Sequence, residues 1–245
     1  MSTLDFVRLV RLAACVGLAC ALPATAVAER IQGSGVTKTE TRAASGFRKI
    51  SLGVGADLEL RQGASEGVTL VGDDNVLPLV ETVVEGGTLK IRWASRRTEA
   101  TFRSLRMIVD ARDIDEITTG GSGNVHAERL KSANLKVTMG GSGHLAIDAL
   151  EAATVALTMA GSGEAKLAGR TDALEPTLAG SGDLAAQKLA ARVVRVTLQG
   201  SGRAAVWASE RLDATVAGSG EVVYQGKPVV NRTVLGSGSI RAATP

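Results

Sequence analysis

The tripeptide Gly-Ser-Gly recurs at Gly121-Ser122-Gly123, Gly141-Ser142-Gly143, Gly161-Ser162-Gly163, Gly180-Ser181-Gly182, Gly200-Ser201-Gly202, Gly218-Ser219-Gly220 and Gly236-Ser237-Gly238. The intervals are 20, 20, 19, 20, 18 and 18 residues. Self-similarity at such a period marks an array of stacked units, and it constrains this chain more than any other feature. An earlier copy, Gly33-Ser34-Gly35, stands apart from the series.

Between corners the pattern is that of half-buried strands. Leu135, Val137 and Met139 alternate with Lys136 and Thr138, and Val155, Leu157 and Met159 with Ala156 and Thr158. Val194, Val196 and Leu198 repeat the pattern, and after the corners come Val125, then Leu145 and Ile147, then Leu184. Period-two alternation with β-branched residues predicts strand. Leu130, Leu150, Leu174, Leu189 and Leu212 read as a further apolar anchor of each coil. No interval holds an amphipathic run long enough for a crossover helix. A coil of 18–20 residues cannot bury its own apolar face, whereas stacked coils can, each strand pairing with its counterpart about 4.8 Å away. The fold predicted is therefore all-β, a right-handed parallel β-helix or solenoid with Gly-Ser-Gly corners.

The ends of the sequence divide it further. Arg8 and Arg11 precede an apolar run from Leu12 to Leu22, and Ala26-Val27-Ala28 then supplies a small-residue cleavage site before Glu29. Residues 1–28 read as a secretory signal peptide, too short in its apolar run for a membrane span of about 20 residues. Gly17 stands where a lipobox ending at Cys20 would carry leucine, so cleavage between Ala28 and Glu29 is expected. Both cysteines, Cys15 and Cys20, then leave with the leader, which excludes disulfides and thiol nucleophiles from the mature chain. Residues 29–45 read as an extension and 46–240 as one solenoid domain, irregular over 46–118 and regular over 119–240. Asp73-Asp74-Asn75-Val76-Leu77-Pro78 predicts a short helical turn capped by an Asp.

Three segments in this order resemble a known family. Gly46-Phe47-Arg48-Lys49-Ile50, Asp74-Asn75-Val76-Leu77 leading to Gly87-Thr88-Leu89-Lys90-Ile91, and then the Gly-Ser-Gly series are similar to the bacterial autotransporter-type adhesins with a head GIN domain. The resemblance spans residues 46–230 and implies an exported, β-helical protein of unassigned molecular activity. After Gly238 too few residues remain for a membrane barrel, so this chain is not expected to translocate itself.

Composition narrows the chemistry. Lys and Arg number 28 against 25 Asp and Glu, so the net charge of +3 does not mark a nucleic-acid partner. Aromatic residues make up 2% of the chain, which disfavours a stacking platform for sugars or bases. His126 and His144 lie three and one residues past successive corners, out of register, with no third ligand, so no metal or cofactor is expected. The serines of the corners lack the strand-Ser-helix setting of a nucleophile and read as a hydroxyl ladder. Asn124, His144, Glu164, Asp183, Arg203, Glu221 and Ser239 follow the corners and read as a solvated, partly charge-paired column. Outward residues such as Lys136, Thr138, Thr158, Arg195 and Thr197 are expected to differ from coil to coil. Polysaccharide-cleaving β-helices need clustered carboxylates, and here the acids are scattered.

The reading is of an exported, non-enzymatic interaction module of adhesin type, located in the periplasm, at the surface or outside the cell. A carbohydrate-active β-helix enzyme is the alternative, and a structural periplasmic protein a third. For binding, the basic stretch Arg92, Arg96, Arg97, Arg103 and Arg106 offers contact with an anionic envelope polymer or a surface protein.

Overall fold

The computed structural model describes residues 30–95 and 98–243. The leader with its Ala28-Glu29 cleavage pair, and Arg96 and Arg97 of the basic stretch, lie outside the described residues. The strands in chain order are β1 (Arg30–Gln32), β2 (Thr37–Arg42), β3 (Lys49–Leu52), β4 (Asp57–Gln62), β5 (Gly67–Asp73), β6 (Val80–Glu85), β7 (Thr88–Trp93), β8 (Glu99–Thr101) and β9 (Arg106–Ala111). The repeats follow as β10 (Glu116–Gly121), β11 (Asn124–Gly141), β12 (His144–Gly161), β13 (Glu164–Gly180), β14 (Asp183–Gly200), β15 (Arg203–Gly218), β16 (Glu221–Gln225), β17 (Val229–Leu235) and β18 (Ser239–Ala242).

The repeats form the parallel solenoid that their period predicts. In β12, Leu145, Ile147, Leu150, Val155, Leu157 and Met159 are buried. The alternation breaks where Asp148 and Ala149 both face outward, and again over Glu151–Thr154, where no residue is buried. These breaks are the bends that carry one extended chain around a coil, while its backbone pairs with β11 and β13 on either side. Buried positions stack into columns. One runs Leu58, Val125, Leu145, Ala165, Leu184, Ala204, Val222, Ile240, in register from coil to coil. All of its members lie in the core, where each large side chain contributes about 1.5–3 kcal/mol by leaving water.

The leucine anchor needs correction. Leu130, Leu150 and Leu189 do share a column, but Gly169 holds the place between the last two. Leu174 and Leu212 belong instead to the column of Leu135, Val155 and Val194. One residue fewer in β13 shifts the register between Ile147 and Leu150 and brings Gly169 to that place, and further shifts in β15 precede Leu212. Gly169 has φ +125°, and a Cβ there would lie 2.1 Å from the Leu150 carbonyl oxygen, so a leucine cannot occupy the site.

The irregular segment joins the same stack in an order different from the chain's. In space β10 is followed by β3, β7 and β6, and on the adjoining face β11 is followed by β4, β9, β5 and β2. The β3–β4 coil thus lies between the repeats and a coil made later from β7 and β9. After β9 the chain passes that earlier coil to rejoin at β10. Arg48 clamps the crossing, donating to Asp115 at 2.6 and 3.0 Å and to Asp113 at 3.3 Å. The Gln62 amide also bridges it, donating to Arg112 and Lys131 carbonyls (3.0 and 2.9 Å) and accepting from Lys131 N–H (2.7 Å).

The short turn is a 3-10 turn at Leu77–Leu79, started by a proline. It has no aspartate cap: Val76 is its N-cap, with no side-chain cap bond. Asp74 and Asn75 are engaged elsewhere, taking hydrogen bonds from the Ser34 hydroxyl (2.5 Å) and Ser34 N–H (2.9 Å). The early Gly33-Ser34-Gly35 is therefore a tether for the extension and lies outside the corner ladder.

Candidate functional site

Each corner explains its own sequence. The first glycine has φ from +82° at Gly121 to +133° at Gly161, conformations that residues with a Cβ resist. From Gly141 onward a Cβ on it would sit 2.3–2.5 Å from the carbonyl oxygen of the preceding corner's first glycine. A Cβ on the third glycine would sit 2.1–2.8 Å from the matching carbonyl below it. The serine supplies mainly its backbone: Ser142, Ser162, Ser181, Ser201 and Ser219 N–H groups each donate to a glycine carbonyl of the preceding coil at 3.0 Å. Among the described residues only Ser219 and Ser237 link their hydroxyls, at 3.2 Å, so the expected hydroxyl ladder is mostly open to solvent.

Outward residues form columns as regular as the core. The residues after the corners, from Asn124 to Ser239, do stack, with Asp57 before them. Asn124 and Asp183 each accept the next coil's backbone N–H at 3.1 Å, and Arg203 meets Glu221 at 2.8 Å. His144 lies 3.5 Å from Glu164, while His126 bonds Asp148 at 2.8 Å in a different column. A second column, nearer the following corner, alternates charge: Lys49, Glu116 and Lys136 pair at 3.6 and 3.0 Å, and Glu175, Arg195 and Asp213 at 2.7 and 3.9 Å. Lys136 holds Glu116 below the usual carboxylate range, and Arg211 does so for Asp213.

Between that ladder and the corners runs a column of one residue type. Thr118, Thr138, Thr158, Thr177, Thr197, Thr215 and Thr233 pair in register through successive coils, with Ser51 and then Lys90 continuing the line. None of these threonine hydroxyls has a hydrogen-bond partner among the described residues. At about 4.8 Å per strand the seven threonines span about 29 Å. The expectation that outward residues differ from coil to coil fails here. The signal was in the sequence as Thr-x-x-Gly-Ser-Gly before six of the corners, with Thr118 at the same place in the first.

The basic stretch divides between faces. Arg92 lies on β7, beside the threonine line, and Arg106 on β9, in the adjoining face. Arg92 pairs with Glu81 at 2.7 Å and Arg106 with Glu59 at 2.6 Å, so both charges are offset by acids distant in sequence. Arg106 and Arg61 together hold Glu59 below the usual carboxylate range. Arg103 is exposed, with no ion pair among the described residues. It follows Phe102, whose ring packs on Trp93 with centroids 5.9 Å apart, and this loop edges the first corner at Ser122.

A groove of about 890 Å³ follows the second bend, running from the Arg48 crossing past Ala152 and Thr171 to Ala190. Along its rim Arg170 pairs with Glu151 at 2.9 Å and Arg192 with Asp172 and Glu210 at 3.5 and 2.8 Å. No three His, Cys, Asp or Glu side chains gather at metal-binding distance among the described residues. No described helix is long and apolar enough to cross a membrane.

Known proteins share this arrangement. A structure described as a "putative adhesin" from Bacteroides fragilis aligns over 87% of this chain and 100% of its own, at 26% identity and TM-score 0.83. A "Putative lipid binding protein" from Parabacteroides distasonis aligns over 88% and 100%, at 26% identity and TM-score 0.75. A "putative adhesin" from Parabacteroides merdae, at 20% identity, shares the fold over 89% and 100%, with TM-score 0.72. No curated protein of known function matches. The family described as "Putative auto-transporter adhesin, head GIN domain" matches residues 46–228, the three segments and the first six corners included, and the chain belongs to that family.

Proposed function

We propose that the chain is exported with residues 1–28 as a cleaved leader, and that residues 46–240 act as one non-catalytic adhesin-type module. Its partner is a linear, anionic envelope polymer laid along the solenoid axis on the threonine face. The observation that carries this reading is the column of seven unpartnered hydroxyls, a periodic surface suited to a periodic ligand. Lys90 and Arg92 stand near one end of that face, with exposed Arg103 in the loop beside Trp93, and Arg96 and Arg97 complete the basic stretch in sequence. The flanking charged column is internally neutral, and Lys90 and Arg92 are paired with Glu85 and Glu81, so the attraction for an anion falls to Arg103, which has no ion pair among the described residues, and to Arg96 and Arg97.

The test is co-sedimentation of the mature protein with polygalacturonate, with neutral dextran and anionic phospholipid vesicles as parallel arms. Binding to polygalacturonate should fade between low and physiological salt, since exposed charges are screened over about 8 Å at 0.15 M. Thr158→Asp with Thr177→Asp, and separately Arg96→Glu, Arg97→Glu and Arg103→Glu together, should each weaken it without unfolding the protein. Binding indifferent to both sets would move the site elsewhere, vesicle binding alone would make the ligand a lipid, and cleaved polymer would overturn the non-catalytic reading. Intact mass of the exported protein should begin at Glu29; a retained, acylated Cys20 would contradict the leader assignment.

A further inference from the structure

The last described coil of the solenoid is open on its outer edge. β17 pairs with β15 and β18 with β16, and neither has a partner on its other edge among the described residues. An unpaired edge in register with seven corners is a template for further strands. The strand is apolar on both sides: inward Val234 is 40% exposed, and outward Val229 and Leu235 are 70% and 64% exposed.

Three inward columns reach this end. Leu212 is followed by Val230, Val216 by Val234, and between them Ala214 by Arg232. The middle column comprises Ile50, Ile117, Val137, Leu157, Pro176, Val196 and Ala214 before it reaches Arg232. Its hydrophobic members are core residues, and Arg232 is the one charge in the line. It is exposed, with no described strand pairing beyond β17, and it makes no ion pair among the described residues. A strand added to this edge would bury an unpaired guanidinium in the core column, which is strongly unfavourable.

We infer that Arg232 is a gatekeeper against self-association, keeping the apolar end of one solenoid from pairing with the same end of a second copy. Arg232 is the middle residue of β17, so a two-fold contact that pairs this edge antiparallel over its whole length sets Arg232 against its counterpart and adds like-charge repulsion to the desolvation cost. A second copy is thus the partner this position excludes most effectively. The inference is independent of the polymer reading, because the threonine face lies along the coils and not at their end.

The experiment is sedimentation velocity on the mature chain over a range of concentrations. Arg232→Val should associate at least tenfold more tightly than the unmodified protein, with native circular dichroism. Arg241→Val makes the same charge change on the neighbouring edge strand but at an outward residue paired with Glu221 at 2.6 Å, and should leave the monomer intact. Arg232→Ser, which removes the charge without adding apolar surface, should fall between them. The inference is overturned if Arg232→Val and Arg232→Ser both sediment as the unmodified protein does, or if Arg241→Val associates equally.

Discussion

Replacing Gly180 by valine places a branched Cβ where the stack has no room. Gly180 has φ +128°, and its Cβ would lie 2.5 Å from the Gly161 carbonyl oxygen, with Gly161 N and C at 3.2 and 3.3 Å. All three neighbours are backbone, so relief requires the coils to separate. The conformation alone costs about 1–3 kcal/mol in a residue with a Cβ. Separation also weakens the Ser181 N–H bond to the Gly161 oxygen, now 3.0 Å, and such a bond contributes about 0.5–1.5 kcal/mol. Together they come to about 2–4 kcal/mol, a fall in Tm of roughly 5–15 °C for a chain of this size. Ser181→Ala is the matched control: its hydroxyl has no protein partner among the described residues, so the change should stay within about 0.5 kcal/mol. Thermal melts followed by circular dichroism at 218 nm, the usual strand band (roughly 215–220 nm), read both variants. Equal destabilisation, or a Gly180→Val protein that melts with the parent, would refute the corner argument.

Two further outcomes follow from polar side chains that fasten the coils. Gln62→Ala strands two carbonyls and one N–H at the crossing, and should cost about 1–3 kcal/mol in urea unfolding, whereas an unchanged midpoint would mean water replaces the amide. Asp115, Glu116, Glu59, Asp213 and Glu221 are each held below the usual carboxylate range by a bonded cation: Arg48, Lys136, Arg106, Arg211 and Arg241 in turn. Their folded pKa values lie below the unfolded ones, so their stabilisation is complete above the unfolded value and is lost as pH falls through the folded one. Tm should hold from about pH 7 to about pH 5 and decline below about pH 4, and 1 M salt should shrink the decline; a Tm that rises on acidification contradicts these pairings.

The regular half of this fold was legible because stacking is a local demand made once per coil. Both glycines of a corner approach the backbone below, so each coil must repeat them, and the spacing reads out coil length. The threonine column carried the same information three residues upstream of each corner and is visible only when repeats are aligned on the corner. Leu174 shows the limit of counting: with one residue missing from β13, its place follows from pairing and not from distance to the preceding turn. The order of β3, β4, β7 and β9 had no periodic signal, since pairing there is decided by contacts between segments some 40–50 residues apart, as Asp57 with Arg106. The partners of the basic stretch were hidden for a related reason. Arg92 and Arg106 lie on different faces, and Glu81 and Glu59, which neutralise them, come from other strands.

Corner, threonine face and gatekeeper all rest on one claim, that the coils stack in register at the pitch of a parallel sheet. Both cysteines of the sequence precede residue 29, so pairs of introduced cysteines carry spin labels without interference in the mature chain. Double electron–electron resonance on Thr118→Cys paired in turn with Thr177→Cys, Thr197→Cys, Thr215→Cys and Thr233→Cys samples the column at three, four, five and six coil spacings. The account predicts distances that lengthen by about 4.8 Å per coil, from about 14 Å to about 29 Å. Distances that fail to rise monotonically, or that rise by the roughly 10 Å of facing sheets, would contradict it.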